Sequence, residues 1–196
     1  MGNVKKATSA PARERILKAA ATALTQRGYS ATGLNEIIQK SGAPKGSLYH
    51  YFPDGKEQLA VEALALSTGE WFAQLYSIMQ DACDVPTAIR NICHEMAKQL
   101  KKSKWQNGCP IATVTLEAAS TIPSIQKAAD QHWKRWHSTL REYFNERGVE
   151  ISEDLITTFI AAFEGALLLA RAHRSEKPLL QVGETLARLV EDLTLI

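Results

Sequence analysis

The chain has 196 residues, of which 45% are hydrophobic and 22% charged, a composition typical of a globular protein with one large core or two smaller ones. No run approaches the roughly 18 to 20 uncharged apolar residues of a membrane span, and the N-terminal residues MGNVKKATSAPARER include no apolar segment typical of a signal peptide. We therefore predict a cytoplasmic protein with no membrane partner.

The net charge of +2 is unevenly distributed along the chain. Residues 1–56 contain nine lysines and arginines and three acidic residues, so this segment carries +6 and the remaining residues carry −4. A basic segment on a mildly acidic body favours a domain that binds a polyanion such as DNA. A solvated basic surface without a partner has the same composition, and charge alone does not separate the two.

The sequence lacks the patterns typical of enzymes and metal sites. Lys98 occupies the position at which an H-E-x-x-H motif starting at His94 needs its second histidine, and His132 and His137 are too far apart to share a helix face. We find no nucleophile elbow, phosphate-binding loop or dinucleotide-binding glycine pattern. The cysteines are odd in number and lack C-x-x-C spacing, which predicts three free thiols: Cys83, Cys93 and Cys109. We predict no catalytic residue, metal or cofactor.

Apolar residues recur at helical spacing from end to end, and no stretch alternates long enough to form a sheet. This pattern predicts an all-α fold of about nine helices. The first ends at Gly28, the second is N-capped by Thr32 and ends at Gly42, and the third starts near Lys45 and ends at Phe52. A long helix then runs over about 56–80. Five further helices are predicted: one over about 86–102, one that starts at 110, one that ends at 148, one over 155–170 and one that starts at 179.

Two short helices across the turn Ser41-Gly42-Ala43-Pro44 follow a basic first helix, an arrangement typical of a helix-turn-helix whose second helix enters the DNA major groove. Near the start of that second helix, Lys45 and Ser47 can meet phosphates or base edges, and Gly46 allows close approach. Leu48 can reach a thymine methyl group, and the rings at positions 49 and 50 can donate to phosphates. The alternative is that these two rings pack inside the protein. The predicted DNA-binding residues are Thr32, Lys45, Gly46, Ser47, Leu48, Tyr49, His50 and Lys56.

Residues 13–64, RERILKAAATALTQRGYSATGLNEIIQKSGAPKGSLYHYFPDGKEQLAVEAL, resemble the DNA-binding domain of the tetracycline-repressor (TetR) family. The segment NGCPIATVTLEAA resembles a branch that includes multidrug-resistance and electrophile-sensing repressors. Two departures affect the predicted contacts. Pro44 replaces the usual Ser or Thr cap, so a phosphate contact from that hydroxyl is lost. The link after Phe52 is one residue longer than usual, which changes where Lys56 stands relative to DNA.

The resemblance implies three parts: a flexible N-terminal arm (1–10), a helix-turn-helix domain (11–55), and an effector-binding and dimerisation domain (56–196). It implies a repressor that binds a palindromic operator as a homodimer and releases it on binding a small hydrophobic, aromatic or electrophilic effector. The alternative is a helical ligand-binding or adaptor protein that does not bind specific DNA sequences.

The candidate effector pocket is an aromatic set with one thiol, although aromatic residues at helical spacing more often belong to a core. Cys109 lies at a predicted helix N-terminus near Lys101, Lys102 and Lys104, which we expect to lower the pKa of its thiol and favour reaction with electrophiles. The alternative is a small buried residue beside a proline. The candidate pocket residues are Trp71, Trp105, Cys109, Trp133, Phe159 and Phe163.

The last two helices are expected to form the dimer interface. Residues 155–170 are apolar nearly all round, which requires cover on both sides, and Gly165 and Gly183 allow close helix approach. The same helices can instead complete the core of a monomer. The predicted interface residues are Phe159, Phe163, Leu167, Val182, Leu186, Leu189 and Leu193.

Overall fold

The computed structural model describes residues 10–194, and within that range it contains nine α-helices and no strand, which confirms the all-α prediction. The predicted N-terminal arm lies almost entirely outside the described residues. The helices are α1 (Ala12–Arg27), α2 (Leu34–Ser41), α3 (Ser47–Tyr51), α4 (Gly55–Asp81), α5 (Val85–Lys102), α6 (Pro110–Ala118), α7 (Pro123–Glu146), α8 (Glu153–His173) and α9 (Lys177–Leu193).

The first three helices end where the sequence predicts, but two of their starting points differ. Gly33, rather than Thr32, is the N-cap of α2, and the Thr32 hydroxyl donates instead to the carbonyl of Gly28 at 2.6 Å. Thr32 is buried, so the predictions that it caps α2 and contacts a phosphate are wrong. Helix α3 starts at Ser47 because the preceding residues form a turn, in which the Ser47 amide donates to the Pro44 carbonyl.

The N-terminal helices share one hydrophobic core with parts of three later helices. Ile16 and Leu24 of α1, Ile37 of α2 and Leu59 of α4 are buried in it. Helices α6 and α7 supply further buried members, including Ile111, Val114, Ala118, Ile125 and Ala129. The head, by which we mean α1–α3, therefore rests on the first half of α4 and on α6 and the start of α7.

A second core joins the rest of α4 and α7 to α5, α8 and α9. Helices α5 and α9 approach closely at Gly183, where an added methyl group would lie 2.7 Å from the Cβ atom of Cys93. Gly183 therefore permits helix contact within one chain. At Gly165, in contrast, an added methyl group would meet nothing within 4 Å.

Helix α8 is much more apolar than its burial in a single chain requires. Among the described helices it is the one long and apolar enough to cross a membrane by length and composition, yet only 28% of that apolar stretch is buried. Leu168 and Leu169 are 63% and 50% exposed. The sequence-based statement that no run approaches a membrane span is thus too strict, and the exposed side of α8 lacks cover within the chain.

Candidate nucleic-acid interface and effector cavity

The head exposes one side of α3 and the turn before it. Lys45, Gly46 and His50 are exposed, Tyr49 is 65% exposed, and Ser47 is half-buried. These residues present a cation, a phenol and an imidazole on one short surface, which suits contact with phosphates and base edges. The structure therefore brings five of the eight predicted DNA-binding residues to one accessible surface.

Leu48 lies on the opposite side of α3 and is only 1% exposed. It packs with Phe52, which is also buried, in the hydrophobic core that the head shares with α4, α6 and α7. We call this core the head core. The prediction that Leu48 contacts a thymine methyl group is wrong, because its side chain anchors α3 to α1 and α4.

Arg15 of α1 holds the turn between α2 and α3, a role that the sequence did not indicate. Its Nε atom donates to the Ser41 carbonyl at 2.9 Å and one terminal nitrogen donates to the Ala10 carbonyl at 2.6 Å. Gly42 then turns the chain in the left-handed conformation, with φ of 61°. A guanidinium that donates to several carbonyls fixes the turn rigidly relative to α1.

Lys56 is partly buried at the start of α4. Its ammonium lies 4.4 Å from the centroid of the Tyr29 ring, a cation–π contact, and burial lowers its pKa below the usual value, although Glu117 opposes this shift. Contact between Lys56 and DNA stays a prediction.

Two adjoining cavities lie in the body, by which we mean α4–α9. Their volumes are about 190 Å³ and about 60 Å³, and both have Trp71, Met96 and Cys109 in their walls. The smaller is bounded by four aromatic residues from α4, α7 and α8, which are Trp71, Trp133, Trp136 and Phe163. We call the two together the body cavity. Of the six predicted pocket residues, four line it.

Trp105 and Phe159 do not belong to the body cavity. Trp105 borders a separate open groove with Arg27, Arg171 and Arg174, because it follows α5 in a left-handed turn with φ of 64°. Phe159 is buried in the second core, edge-on to Phe144. The structure therefore does not bring these two residues together with the other four predicted pocket residues.

Cys109 is the N-cap of α6, and its sulfur accepts from the Ala112 amide at 3.5 Å. Burial raises the pKa of the thiol well above its usual value, and the nearby Glu164 carboxylate raises it further, whereas the Ala112 amide opposes the shift. The expectation that the helix end and the lysines lower this pKa is wrong. Lys101 pairs instead with Glu176 at 2.9 Å.

Two titratable residues of the body cavity were not among the predicted pocket residues. Glu164 of α8 borders the cavity, and packing around its carboxyl keeps it from bulk water and raises its pKa to about 7. His132 of α7 has its pKa lowered to about 4 by burial and by the charge of Arg135. The cavity therefore contains an acid that titrates near neutral pH and a histidine that stays uncharged there.

The comparisons with known proteins agree with both parts of the chain. Residues 16–63 match bacterial regulatory proteins of the tetR family, and residues 86–185 match the C-terminal domain of LmrA/YxaF-like transcriptional regulators. The chain belongs to the TetR family. It is therefore a helix-turn-helix transcriptional regulator with a DNA-binding head.

Individual TetR-family proteins match over most of the chain. The HTH-type transcriptional regulator LmrA of Bacillus subtilis (strain 168) is 34% identical over 182 residues, which cover 91% of this chain and 96% of LmrA. The HTH-type transcriptional repressor NemR of Escherichia coli (strain K12) is 32% identical over 129 residues, covering 65% and 64% of the two chains. The crystal structure of regulatory protein TetR from Rhodobacter sphaeroides shares the fold, with a TM-score of 0.81 at 23% identity, covering 90% of this chain and 97% of that one.

Helix α6 connects the cavity of this TetR-family chain to its head. At one end Cys109 lines the cavity. Near the other end the Glu117 carboxylate accepts from the Ser30 amide at 2.8 Å, in the link that leads to α2. Arg171 of α8 also donates to the Gln26 carbonyl at 3.0 Å. A displacement of α6 therefore acts directly on the link between α1 and α2.

The predicted dimer-interface residues of this TetR-family chain differ in how exposed they are. Phe159 and Leu186 are buried in the core of their own chain, so neither is available as an external contact, whereas Phe163 and Leu167 are only partly buried and also line the body cavity. The assignment of Phe159 and Leu186 to the interface is wrong, and that of Phe163 and Leu167 stays a prediction. Val182, Leu189 and Leu193 are also partly exposed, and Leu168 and Leu169 are exposed apolar residues that the sequence did not predict for the interface.

Proposed function

We propose that the chain is a cytoplasmic, homodimeric repressor that binds a palindromic operator and releases it when a small effector enters the body cavity. The observation that carries the proposal is the division of α3 into two sides. Leu48 fixes one side in the head core, while Lys45, Tyr49 and His50 are exposed on the other. A helix so anchored can present the same contacts to each half of a palindrome.

The effector we propose is a small hydrophobic or aromatic molecule that binds reversibly. The walls of the smaller cavity are mostly aromatic and aliphatic, with a few polar groups, as expected of a small-molecule site. An electrophile is a weaker candidate, because the thiolate is the reactive form of cysteine and burial keeps Cys109 protonated. Entry of a ligand displaces α6, and through Glu117 it changes the link to α2.

The experiment measures binding to DNA from the protein's own upstream region, and to random DNA, over a range of salt concentrations. Lys45→Ala should weaken binding to both DNAs and reduce the salt slope by about one, because one phosphate contact is lost. Lys98→Ala is the matched control, since it also removes one positive charge but lies on α5, away from the head. Wild-type affinity and slope in Lys45→Ala would contradict the proposed interface, and the absence of specific binding at low salt would contradict DNA recognition altogether.

A further inference from the structure

We propose that the body cavity binds a compact lipophilic monocation, such as a quaternary ammonium, with the Glu164 carboxylate as its counter-ion and aromatic rings around it. The inference rests on the proposed function in one respect, namely that this cavity is the effector site. It adds the chemical class of the effector.

The walls of the smaller cavity attract positive charge. Trp71 comes from α4, Trp133 and Trp136 from α7, and Phe163 from α8, next to Glu164. The faces of aromatic rings carry negative charge density, and several rings around one space form the kind of site that binds quaternary ammonium groups. No lysine or arginine is among the lining residues, so nothing in the wall repels a cation.

Glu164 lacks a cationic partner in the described part of the chain, where all the ion pairs involve other residues. The Cys109 thiol is the polar group that favours its charged form. A buried carboxylate without a counter-ion is costly, and a cation in the cavity offsets that cost. An anion would be repelled, and a purely apolar ligand would leave the carboxylate without a counter-ion.

The other groups around Glu164 stay uncharged near neutral pH. The lining residues of α4 and α5 include no titratable group, α6 contributes Cys109, and α7 contributes His132. The thiol has a raised pKa, and that of the imidazole is about 4. Arg135 does not line the cavity, and its guanidinium carbon lies 3.9 Å from the centroid of the Phe72 ring. Glu164 is therefore the titrating group of this cavity between about pH 5.5 and about pH 8.5.

A cation and a proton then compete for the same carboxylate. Because the pKa of Glu164 is about 7 and the cation binds its ionised form, affinity for a permanent cation should rise with pH. The increase should approach about tenfold per pH unit well below neutrality and should level off above the pKa. A neutral ligand of the same shape should show no such rise.

The test compares phenyltrimethylammonium with tert-butylbenzene, which share a shape and differ by one charge. Binding is measured by calorimetry and by tryptophan fluorescence, because three tryptophans line the cavity. At about pH 8 we expect the wild type to prefer the cation by about tenfold. Glu164→Gln should remove this preference and the pH dependence, whereas Glu142→Gln, at an exposed position on α7, should keep both.

Binding of neither probe, equal affinity for both, or an unchanged preference in Glu164→Gln would overturn the inference. Operator binding by Glu164→Gln shows whether that variant is folded. If it is not folded, the inference is tested by the pH dependence of the wild type's affinity for the cation, and the absence of a rise with pH overturns it. Failure of this inference can be distinguished from failure of the proposed function. Release of the operator by the neutral probe alone would leave the repressor proposal intact, and absence of operator binding by the wild type would remove it.

Discussion

Gly46 is the residue at which folding and DNA binding make separate demands. Its φ of −75° is accessible to any residue, and an added methyl group would meet nothing within 4 Å in the protein. We expect Gly46→Ala to change the free energy of unfolding by no more than about 1 kcal/mol, since an alanine N-cap is only moderately worse than glycine. The methyl group would, however, stand between α3 and DNA.

For Gly46→Ala we therefore expect a loss of operator affinity of about 1–3 kcal/mol, as typical of steric overpacking at a close contact. The measurements are the thermal midpoint and the operator dissociation constant of the same variant. A normal affinity with normal stability would show that DNA does not approach this residue closely.

Single side chains were the least predictable part of the site from the sequence. Leu48 and Phe52 are four residues apart and so share one side of a helix, a signal that would have placed Leu48 in the core. Cys109 is different, because its lysine neighbours in sequence suggest a thiolate, while the residue that opposes it, Glu164, comes from a distant helix. Sequence neighbours do not reveal which charges a fold brings together.

At the scale of elements, the contact between α5 and α9 depends on the absence of a side chain at Gly183. A methyl group there would lie 2.7 Å from the Cβ and 2.8 Å from the sulfur of Cys93, which is itself buried. We expect Gly183→Ala to lower the free energy of unfolding by about 1–3 kcal/mol, because one helix must shift. Urea denaturation at a fixed protein concentration measures the loss.

Gly69→Ala provides the matched control for Gly183, since an added methyl group on α4 meets nothing within 4 Å. It should be neutral or stabilising by up to about 1 kcal/mol, because alanine favours a helix. Equal stability of the two variants would contradict the close contact seen here.

The helices themselves followed from the sequence, because apolar periodicity and glycine or proline stops are local properties. The α2 stop at Gly42 and the α6 start at Pro110 are where the sequence places them. Which helices pack against each other could not be predicted from the sequence. Gly183 indicated a close approach, and only the fold shows that Cys93 of the same chain is what it meets.

At the scale of the whole molecule, the uncovered side of α8 predicts association of two chains. Leu169 is 50% exposed beside Leu168, and an exposed apolar patch is typical of an interface. We expect Leu169→Glu to produce a monomer with weakened operator binding, because it would bury two unpaired charges across a twofold axis. Sedimentation with matched DNA-binding measurements tests both effects.

Leu116→Glu is the control for Leu169, since Leu116 is 84% exposed on α6 yet lies outside α8 and α9. It should leave the dimer intact. If both variants remain dimers at low concentration, the interface lies on another surface.

The head core has a consequence for exchanging parts between related regulators. Ile111 and Val114 of α6 and Ile125 of α7 complete the packing around α1 and α4, although all three lie far beyond the helix-turn-helix in sequence. A chimaera joined at residue 55 would place a foreign head on side chains shaped for another one. The compatible unit of exchange is a head together with the matching surface of α4, α6 and α7, so the DNA specificity of this protein is transplanted as a discontinuous set of residues.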